Sequence, residues 1–114
     1  MENYHTKRVD DAGSTIYEDA QGRWHRTDGP AIECKDSAKY WYIHGKRHRT
    51  DGPSIIRASG TQVWNYNDLM HREDGPAVTY HDGVSFYFHG VYAKTHHEFY
   101  DAAWRKEVLL RQVK

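Results

Sequence analysis

Short β-prone runs rich in apolar and aromatic residues alternate with polar turn sequences along most of the chain, and the alternation has a period of 23 residues. Within each period, two such runs flank a turn that contains Asp-Ser, Ser-Gly or Asp-Gly, dipeptides that favour tight reversals. The pattern predicts one β-hairpin in each unit, preceded by a first short strand at Thr15–Glu18. The paired runs are residues 31–35 and 40–43, 54–57 and 63–66, and 77–80 and 84–88.

A polar six-residue motif, here called the hexad, connects each predicted hairpin to the next. It reads His-Arg-Thr-Asp-Gly-Pro at residues 25–30 and 48–53, and His-Arg-Glu-Asp-Gly-Pro at residues 71–76. Asp favours the start of a turn, and Pro, which has no N–H, belongs where a strand begins or a ladder ends. Gly before Pro can also adopt extended conformations at positive φ that are closed to other residues. Each hexad is therefore predicted to form a sharp corner, and the fixed period predicts a repeat architecture.

Large apolar groups recur on both faces of the second strand of each hairpin. Because side chains alternate between faces along a strand, these residues predict a ladder on each face. We expect either that both faces are covered or that one is an exposed aromatic surface, and exposed Trp and Tyr are enriched at binding hot spots. One face aligns Tyr40, Val63 and Phe86, and the other aligns Trp41, Trp64 and Tyr87, followed by Ile43, Tyr66 and His89. The candidate partner-binding residues are Trp41, Ile43, Trp64, Tyr66 and Tyr87.

The period changes at Thr95. The sequence Thr-His-His-Glu at residues 95–98 matches a capping box, and residues 96–114 contain neither Gly nor Pro. We predict an amphipathic helix over residues 95–114 that caps the sheet, covers one face, or docks on a partner or on a second copy to form a homodimer. Its expected apolar side carries Phe99, Ala102, Ala103, Leu109, Leu110 and Val113, widened by Tyr100, Trp104 and Val108. The whole chain is predicted to be one domain, with a polar segment at residues 1–14 and the repeats at 15–94.

Composition narrows the classes of partner. Lys plus Arg and Asp plus Glu each number 16 in 114 residues, so the formal charge is zero and nucleic acid is an unfavourable partner. Cys34 is the lone cysteine, which excludes an intrachain disulfide and fits a reducing compartment. The first residues have no apolar core for export, and no apolar run approaches membrane-spanning length. We therefore expect a soluble cytoplasmic protein without membrane contact.

The polar residues of the hexads invite chemical interpretations. His25, His48 and His71 are repeat equivalents about 9–10 Å apart in a regular sheet, so they converge poorly on one zinc ion. We expect them to form hydrogen bonds within the corners, for example His25 with Asp28. The chain has no P-loop, Gly-x-Ser-x-Gly or His-Glu-x-x-His motif. We therefore predict no catalysis, no metal and no cofactor.

The hexad arginines form a possible basic row. Arg26, Arg49 and Arg72 each stand two residues before an Asp. Two roles remain open: local pairing with Asp28, Asp51 and Asp74, or binding of a phosphate or carboxylate by the row. In the second case, nucleotide or nucleic-acid binding with bases stacked on the aromatic ladder is the alternative to protein binding.

The segment Trp-Tyr-Ile-His-Gly-Lys-Arg-His at residues 41–48 resembles the MORN repeat, and the trailing Asp-Gly-Pro-Ala resembles the variant of YwqK-type antitoxin-like proteins and of repeat proteins of bacteriophages and large DNA viruses. The resemblance covers residues 15–94 and implies successive antiparallel hairpins in one elongated, curved sheet. It also implies a non-catalytic scaffold, and it suggests a small phage-type factor that binds and inhibits a host protein. The chain departs from the pattern at Asn67-Asp68-Leu69, which replace His44-Gly45-Lys46, and in its shorter last unit.

Overall fold

The repeats fold as successive antiparallel hairpins, as predicted. The structure is a computed structural model that describes residues 3–113. Fourteen strands and two helices occur in this part of the chain. The strands are β1 Thr6–Val9, β2 Thr15–Glu18, β3 Ile32–Glu33, β4 Lys39–Tyr40, β5 Tyr42–Ile43, β6 Lys46–Arg47, β7 Ile55–Ile56, β8 Gln62–Val63, β9 Asn65–Tyr66, β10 Leu69–Met70, β11 Val78–Tyr80, β12 Gly83–Ser85, β13 Tyr87–Phe88 and β14 Val91–Tyr92; the helices are α1 His96–Tyr100 and α2 Ala102–Arg111.

Eight of these strands form the main sheet, in the order β1-β2-β3-β4-β7-β8-β11-β12. Consecutive hairpins pair directly, because Tyr40 lies opposite Ile55 and Val63 lies opposite Val78 in antiparallel register. The molecule is elongated, with extents of 46 × 36 × 19 Å. This long sheet places the three hexads in a row, one at each connection between hairpins.

A second, smaller hairpin follows each hairpin of the main sheet in the three units. We call these the tip hairpins: β5–β6, β9–β10 and β13–β14. The sequence predicted only one hairpin per unit, and this was wrong, because the chain leaves the sheet at Trp41, Trp64 and Phe86. In each of the three tip hairpins, both turn residues have positive φ. The values are 46° and 83° for His44-Gly45, 47° and 72° for Asn67-Asp68, and 47° and 82° for His89-Gly90. Asn and Asp tolerate this conformation, so the departure at residues 67–68 preserves the turn.

The last unit is shifted in phase by one residue. Only two residues separate the paired Tyr80 and Gly83 in its hairpin turn. Phe86, not Tyr87, therefore takes the place of Trp41 and Trp64. The backbone confirms this equivalence, because the carbonyls of Trp41, Trp64 and Phe86 accept N–H groups from His48, His71 and Ala93 at 3.2, 3.1 and 2.9 Å.

Two helices, not one, end the chain. The first half of the predicted capping box is present, because Thr95 Oγ1 accepts the Glu98 N–H at 3.0 Å; Glu98 Oε2 reaches one residue further back and accepts the Lys94 N–H at 2.7 Å. The predicted single helix is interrupted at Asp101, whose ψ of 121° is extended and whose side chain accepts the Trp104 N–H at 2.8 Å as the cap of α2. Neither helix is long and apolar enough to cross a membrane, a finding that covers residues 3–113.

The interruption changes which side chains the helices bury. Phe99 and Val108 are fully buried and pack with Phe88 and Ala93 over the last tip hairpin. The predicted apolar side holds for Phe99, Val108 and the partly buried Trp104, but it is wrong for Ala102, Ala103, Leu109, Leu110 and Val113, because the break at Asp101 divides the predicted single helix. Leu109, Leu110 and Val113 are consequently 45%, 62% and 74% exposed.

The amino-terminal segment also differs from its prediction. Residues 1–14 lack an apolar pattern, yet β1 lies within them and pairs along its full length with β2. Every residue of β1 is exposed, so this edge strand buries no apolar side chain and its sequence shows no apolar pattern that would predict a strand. Part of the predicted polar segment, residues 1–2, lies outside the described residues.

Candidate functional site: the row of hexad corners

Each hexad is organised around its arginine. In the second hexad, the Arg49 guanidinium carbon lies 4.0 Å from the centre of the Trp41 ring. Its Nη1 donates to the Pro53 carbonyl at 3.0 Å, and its Nε donates to Asp51 Oδ1 at 2.9 Å. The planar guanidinium thus stacks on the indole and joins both ends of the corner, a combination that Lys cannot reproduce.

The other two hexads repeat this arrangement. Arg26 stacks at 4.1 Å on Tyr17, and Arg72 stacks at 4.0 Å on Trp64. Their Nη1 groups donate to the carbonyls of Pro30 and Pro76, both at 3.3 Å. Arg26 Nε donates to Asp28 at 2.9 Å, whereas Arg72 Nε lies 3.6 Å from Asp74 and is buried without a hydrogen-bond partner. The local pairing of Arg with Asp is therefore present, and it is loosest in the third corner.

The hexad glycine leaves room for this stack. A Cβ on Gly52 would lie 2.6 Å from the Arg49 guanidinium carbon, and one on Gly75 would lie 2.7 Å from that of Arg72. At Gly29 the same distance is 3.0 Å. The expectation that these glycines use positive φ was wrong, because none of the three lies in that region.

The hexad histidines tie each corner to the next tip hairpin. Nδ1 of His25 accepts the His44 N–H at 2.9 Å, and Nδ1 of His48 accepts the Asn67 N–H at 3.1 Å. His71 accepts the His89 N–H at 2.8 Å in the same way. The predicted bond between His25 and Asp28 is absent from the described residues, because Asp28 pairs with Arg26 instead. The histidines therefore act between units, not within a corner.

One side-chain group in residues 3–113 has the composition of a metal site. Potential ligand atoms of His71, Glu73 and His89 lie within 4.8 Å of one another. However, Nδ1 of His71 accepts a backbone N–H, so the ring proton of the neutral imidazole is on Nε2. Metal coordination by Nε2 would need that proton to move to Nδ1 and break the bond to the tip turn. The group is better suited to hydrogen bonding, with His71 Nε2 3.4 Å from Glu73 Oε1.

Two of the corners also contain closely packed imidazole pairs. The ring centres of His25 and His44 are 4.0 Å apart, and those of His71 and His89 are 4.1 Å apart. Burial lowers the pKa of both His25 and His71, and the neighbouring imidazole lowers it further. Two adjacent cations would repel each other, so protonation of the buried ring in each pair is disfavoured.

Asp19 completes the first of these clusters. Burial alone would raise the pKa of its carboxyl, but hydrogen bonds more than offset that effect and hold the pKa well below its usual range. Nδ1 of His44 lies 2.8 Å from Asp19 Oδ2, and Nε of Arg23 donates to the same oxygen at 2.8 Å. The backbone N–H groups of Gln21 and Arg23 donate to Oδ1. Asp19 therefore shapes the turn that replaces a tip hairpin in the first, degenerate unit.

Between the corners lie shallow grooves. The middle groove, of about 520 Å³, runs between the first and second hexads and is lined by Trp41, Ile43 and His48. The C-terminal groove, of about 210 Å³, runs between the second and third hexads. Arg49 and Thr50 line both, so the second hexad is the wall that the two grooves share.

A third groove extends the row towards the amino terminus. This N-terminal groove, of about 440 Å³, is lined by Tyr4, Asp19 and His44. It shares Thr27 and Ile43 with the middle groove. The three grooves therefore form one continuous row along the face that carries the hexads.

The row contains most of the residues that the sequence singled out. Trp41 and Ile43 line the middle groove, while Trp64 and Tyr66 line the C-terminal groove. Tyr87 is not among the groove residues; its ring packs against Tyr92 at 5.5 Å within the last tip hairpin. The structure thus brings four of the five candidate partner-binding residues together.

The candidate anion-binding residues line the grooves as well: Arg26 and Arg49 the middle one, Arg49 and Arg72 the C-terminal one. Each guanidinium is already held by an aromatic ring, a proline carbonyl and a nearby carboxylate. Sequence reasoning missed Thr50 and His48 as groove residues, although their fixed positions in the hexad were a signal that could have identified them.

Comparison with known proteins adds no relative. No model of a known protein family matches this chain, and no curated protein or solved structure matches it.

Proposed function

We propose that the protein is a non-catalytic protein-binding module that acts through the middle and C-terminal grooves. One observation carries this proposal. Trp41 and Ile43 line the middle groove, Trp64 and Tyr66 line the C-terminal groove, and the two grooves share one wall. Half-buried aromatic residues in a shallow groove supply apolar contact area at low cost in side-chain entropy, as at protein interfaces.

The charge of the groove rims supports a protein partner over a nucleic acid. Each hexad places an Arg beside an Asp, and the third adds Glu73, so the row carries no surplus of positive charge. A base would need a free ring face to stack on, but a guanidinium already lies over the rings of Trp41 and Trp64. Nucleotide binding through these rings would first have to displace Arg49 and Arg72.

The biological setting of the proposal comes from the sequence resemblance alone. A MORN-like repeat of the bacteriophage type suggests a small cytoplasmic factor that binds a host protein and inhibits it. The grooves are compatible with this role because they offer a repeated recognition surface and contain none of the catalytic motifs sought in the sequence.

The test is a paired capture experiment. Thr50 is exposed on the shared wall, and the equivalent position of the third hexad carries Glu73, so Thr50→Glu places a charge there that the corner already accommodates. The control is Ser59→Glu in an exposed hairpin turn at the other end of the strands. Wild type and Ser59→Glu should capture the same protein from the native host, and Thr50→Glu should lose it. Equal capture by both variants would place the interface elsewhere.

A further inference from the structure

We propose that β12 binds an extended segment of a partner protein as an additional antiparallel strand of the main sheet. The segment carries a small residue followed by two β-branched residues. None of residues 83–86 lines the three grooves, so this site is separate from the surface of the proposed function. The inference rests on the strands that occupy the equivalent position beside the two preceding hairpins.

The two preceding hairpins show what the outer side of such a strand contacts. β4 and β8 are the second strands of their hairpins, and each pairs on its outer side with the first strand of the next hairpin, β7 or β11. Just beyond these strands, the Trp41 N–H donates to the Ser54 carbonyl and the Trp64 N–H donates to the Ala77 carbonyl, both at 2.7 Å. β12 is the second strand of the third hairpin, but it ends the strand order of the main sheet in residues 3–113. Its outer side therefore repeats a pairing edge that is filled twice elsewhere in the molecule.

The outer side of β12 carries unpaired backbone groups. Phe86 takes the place of Trp41 and Trp64, yet its N–H donates to no backbone carbonyl in residues 3–113. Alternate residues of an antiparallel strand direct their N–H and carbonyl groups to opposite sides, so those of Val84 face outwards as well. Val84 is 52% exposed. The edge therefore offers two N–H donors and one carbonyl acceptor to an added strand.

β12 is also the less protected of the two edges of the main sheet. At the opposite edge, β1 carries Lys7 and Arg8, and charged side chains on an edge strand oppose strand addition. β12, at Gly83–Ser85, contains no charged residue. The two helices pack through Phe99 and Val108 on the last tip hairpin, while Gly83 and Val84 remain exposed.

The segments that fill the two equivalent edges share a sequence type. They are Ser54-Ile55-Ile56 beside β4 and Ala77-Val78-Thr79 beside β8, in each case a small residue followed by two β-branched residues. Ser54 and Ala77 are fully buried, which indicates a small side chain at that position, and β-branched residues favour extended strands. We therefore expect the same type of segment beside β12, with its small residue opposite Phe86.

A second copy of the chain does not supply this segment. In the folded chain, β3, β7 and β11 each lie between two other strands, so both of their edges are already paired. The other open edge of the main sheet, β1, has the sequence Thr-Lys-Arg-Val and lacks the pattern. An extended segment of another protein can bind by adding a strand to an exposed sheet edge, and its alternate side chains then give specificity. A partner segment is thus the occupant that fits this site.

The experiment titrates the ¹⁵N-labelled full-length protein with the capped peptide Gly-Pro-Ser-Ile-Ile-Arg, the sequence of residues 52–57. We expect the backbone amide resonances of Val84 and Phe86 to shift as the peptide binds at millimolar concentration. The backbone amides of Trp41 and Trp64, which already donate to carbonyls, are the internal controls and should not move. Unchanged Val84 and Phe86 signals at the highest soluble peptide concentration would overturn the proposal.

Two N-methylated peptides, tested on the wild-type protein, determine whether the contact is strand pairing. Ile56 lies opposite Lys39 in the chain itself, and Val84 takes the place of Lys39, so the second Ile of the peptide faces Val84. Methylation of its nitrogen removes a hydrogen-bond donor and should weaken binding about tenfold. Methylation of the first Ile, whose N–H points away from β12, should leave the affinity nearly unchanged. Equal affinity of the two peptides would contradict strand addition.

A pair of variants tests the protein side of the same contact. Val84→Pro removes the outward N–H, a change that an edge strand tolerates, and it should weaken peptide binding about tenfold. Val84→Thr keeps both backbone groups and should bind as the wild type does. Equal weakening by both variants would mean that the Val84 side chain holds the peptide, which contradicts pairing through the backbone.

The same spectra identify a competing occupant. If the Val84 and Phe86 signals shift when the free protein is concentrated, and Val84→Pro abolishes that shift, β12 pairs with a second copy and the proposed occupant is wrong. Signals that stay constant on dilution and move only with the peptide support the proposal.

Discussion

Arg49 and Gly52 lie so close that the guanidinium occupies the space a Cβ on the glycine would need, at 2.6 Å. The same guanidinium stacks on the face of the Trp41 ring. The hexad is therefore one structural unit: the Arg fills the corner, the Gly makes room for it, and the Asp carboxylate and the Pro carbonyl accept hydrogen bonds from its nitrogens. The six-residue motif recurs in the sequence because this packing recurs in the structure.

The first prediction concerns that close approach. Gly52→Ala should displace the Arg49 side chain and destabilise the protein by about 1–3 kcal/mol, the usual cost of inserting a methyl into a packed site. The measurement is urea denaturation of each variant. Gly83→Ala is the control, because a Cβ there meets nothing within 4 Å, and it should leave the free energy of unfolding nearly unchanged. Equal stability of the two variants would mean that the guanidinium yields without cost.

The second prediction separates packing from binding at two groove aromatics. Trp64 is half-buried under Arg72, so Trp64→Ala should destabilise the fold by about 2–4 kcal/mol, near the lower end for loss of a packed Trp. Tyr66 is 44% exposed, and Tyr66→Ala should cost under about 1 kcal/mol. Thermal denaturation measures the loss of stability in both variants. Partner affinity, measured for Tyr66→Ala, should fall because the exposed ring lines the C-terminal groove. Binding unaffected by Tyr66→Ala would remove that residue from the interface.

The third prediction is a loss of stability in mild acid. The pKa values of His25 and His71 are lowered by folding, so below about pH 6.5, the value for an unfolded His, the unfolded chain binds protons that the folded chain does not. The free energy of unfolding should be level above that pH and fall as the pH drops below it. The lowered pKa of Asp19 acts only below about pH 4, where its unfolded carboxyl titrates.

Matched variants test the origin of this pH dependence. Asn can accept the same backbone N–H without titrating, so the double variant His25→Asn/His71→Asn should show a much smaller fall between pH 7.5 and 5.5 in urea titrations. His81→Asn, in an exposed turn, should behave as wild type. A double variant that retains the full pH dependence would assign it to other groups.

The fourth prediction concerns the C-terminal helix. Leu109, Leu110 and Val113 form an exposed apolar patch, so α2 is predicted to pair weakly with a second copy. Sedimentation equilibrium should show a concentration-dependent dimer that Leu110→Glu abolishes. A monomer at every concentration would instead leave this patch without a role in self-association.

The sequence predicted those features that the period itself encodes. The β-prone runs, the turn dipeptides between them and the Asp-Gly-Pro of each hexad, all repeated at equal spacing, predicted the hairpins of the main sheet and the corners between them. Features that depend on contacts between distant residues were not predictable in this way. The stack of Arg72 on Trp64 joins residues in different parts of one unit, and nothing local in Gly75 identifies the steric need for a glycine.

Other features were hidden by short or polar elements. The strand Lys46–Arg47 has two charged residues, which resemble a loop, so the tip hairpins were missed. A single shortened turn moved Tyr87 out of the ladder in which the period had placed it. At the C-terminus, Asp101 sits within an otherwise helical pattern, and its capping bond to Trp104 divides the helix.

Hydrogen–deuterium exchange of the protein, free and in complex with its captured partner, tests the central claim most directly. We predict that the partner protects backbone amides at residues 26–29, 41–51 and 64–74, the segments that line the middle and C-terminal grooves. Protection confined to α2, or to the hairpin turns near residues 35–38 and 58–61, would contradict the claim that the row of grooves is the binding surface.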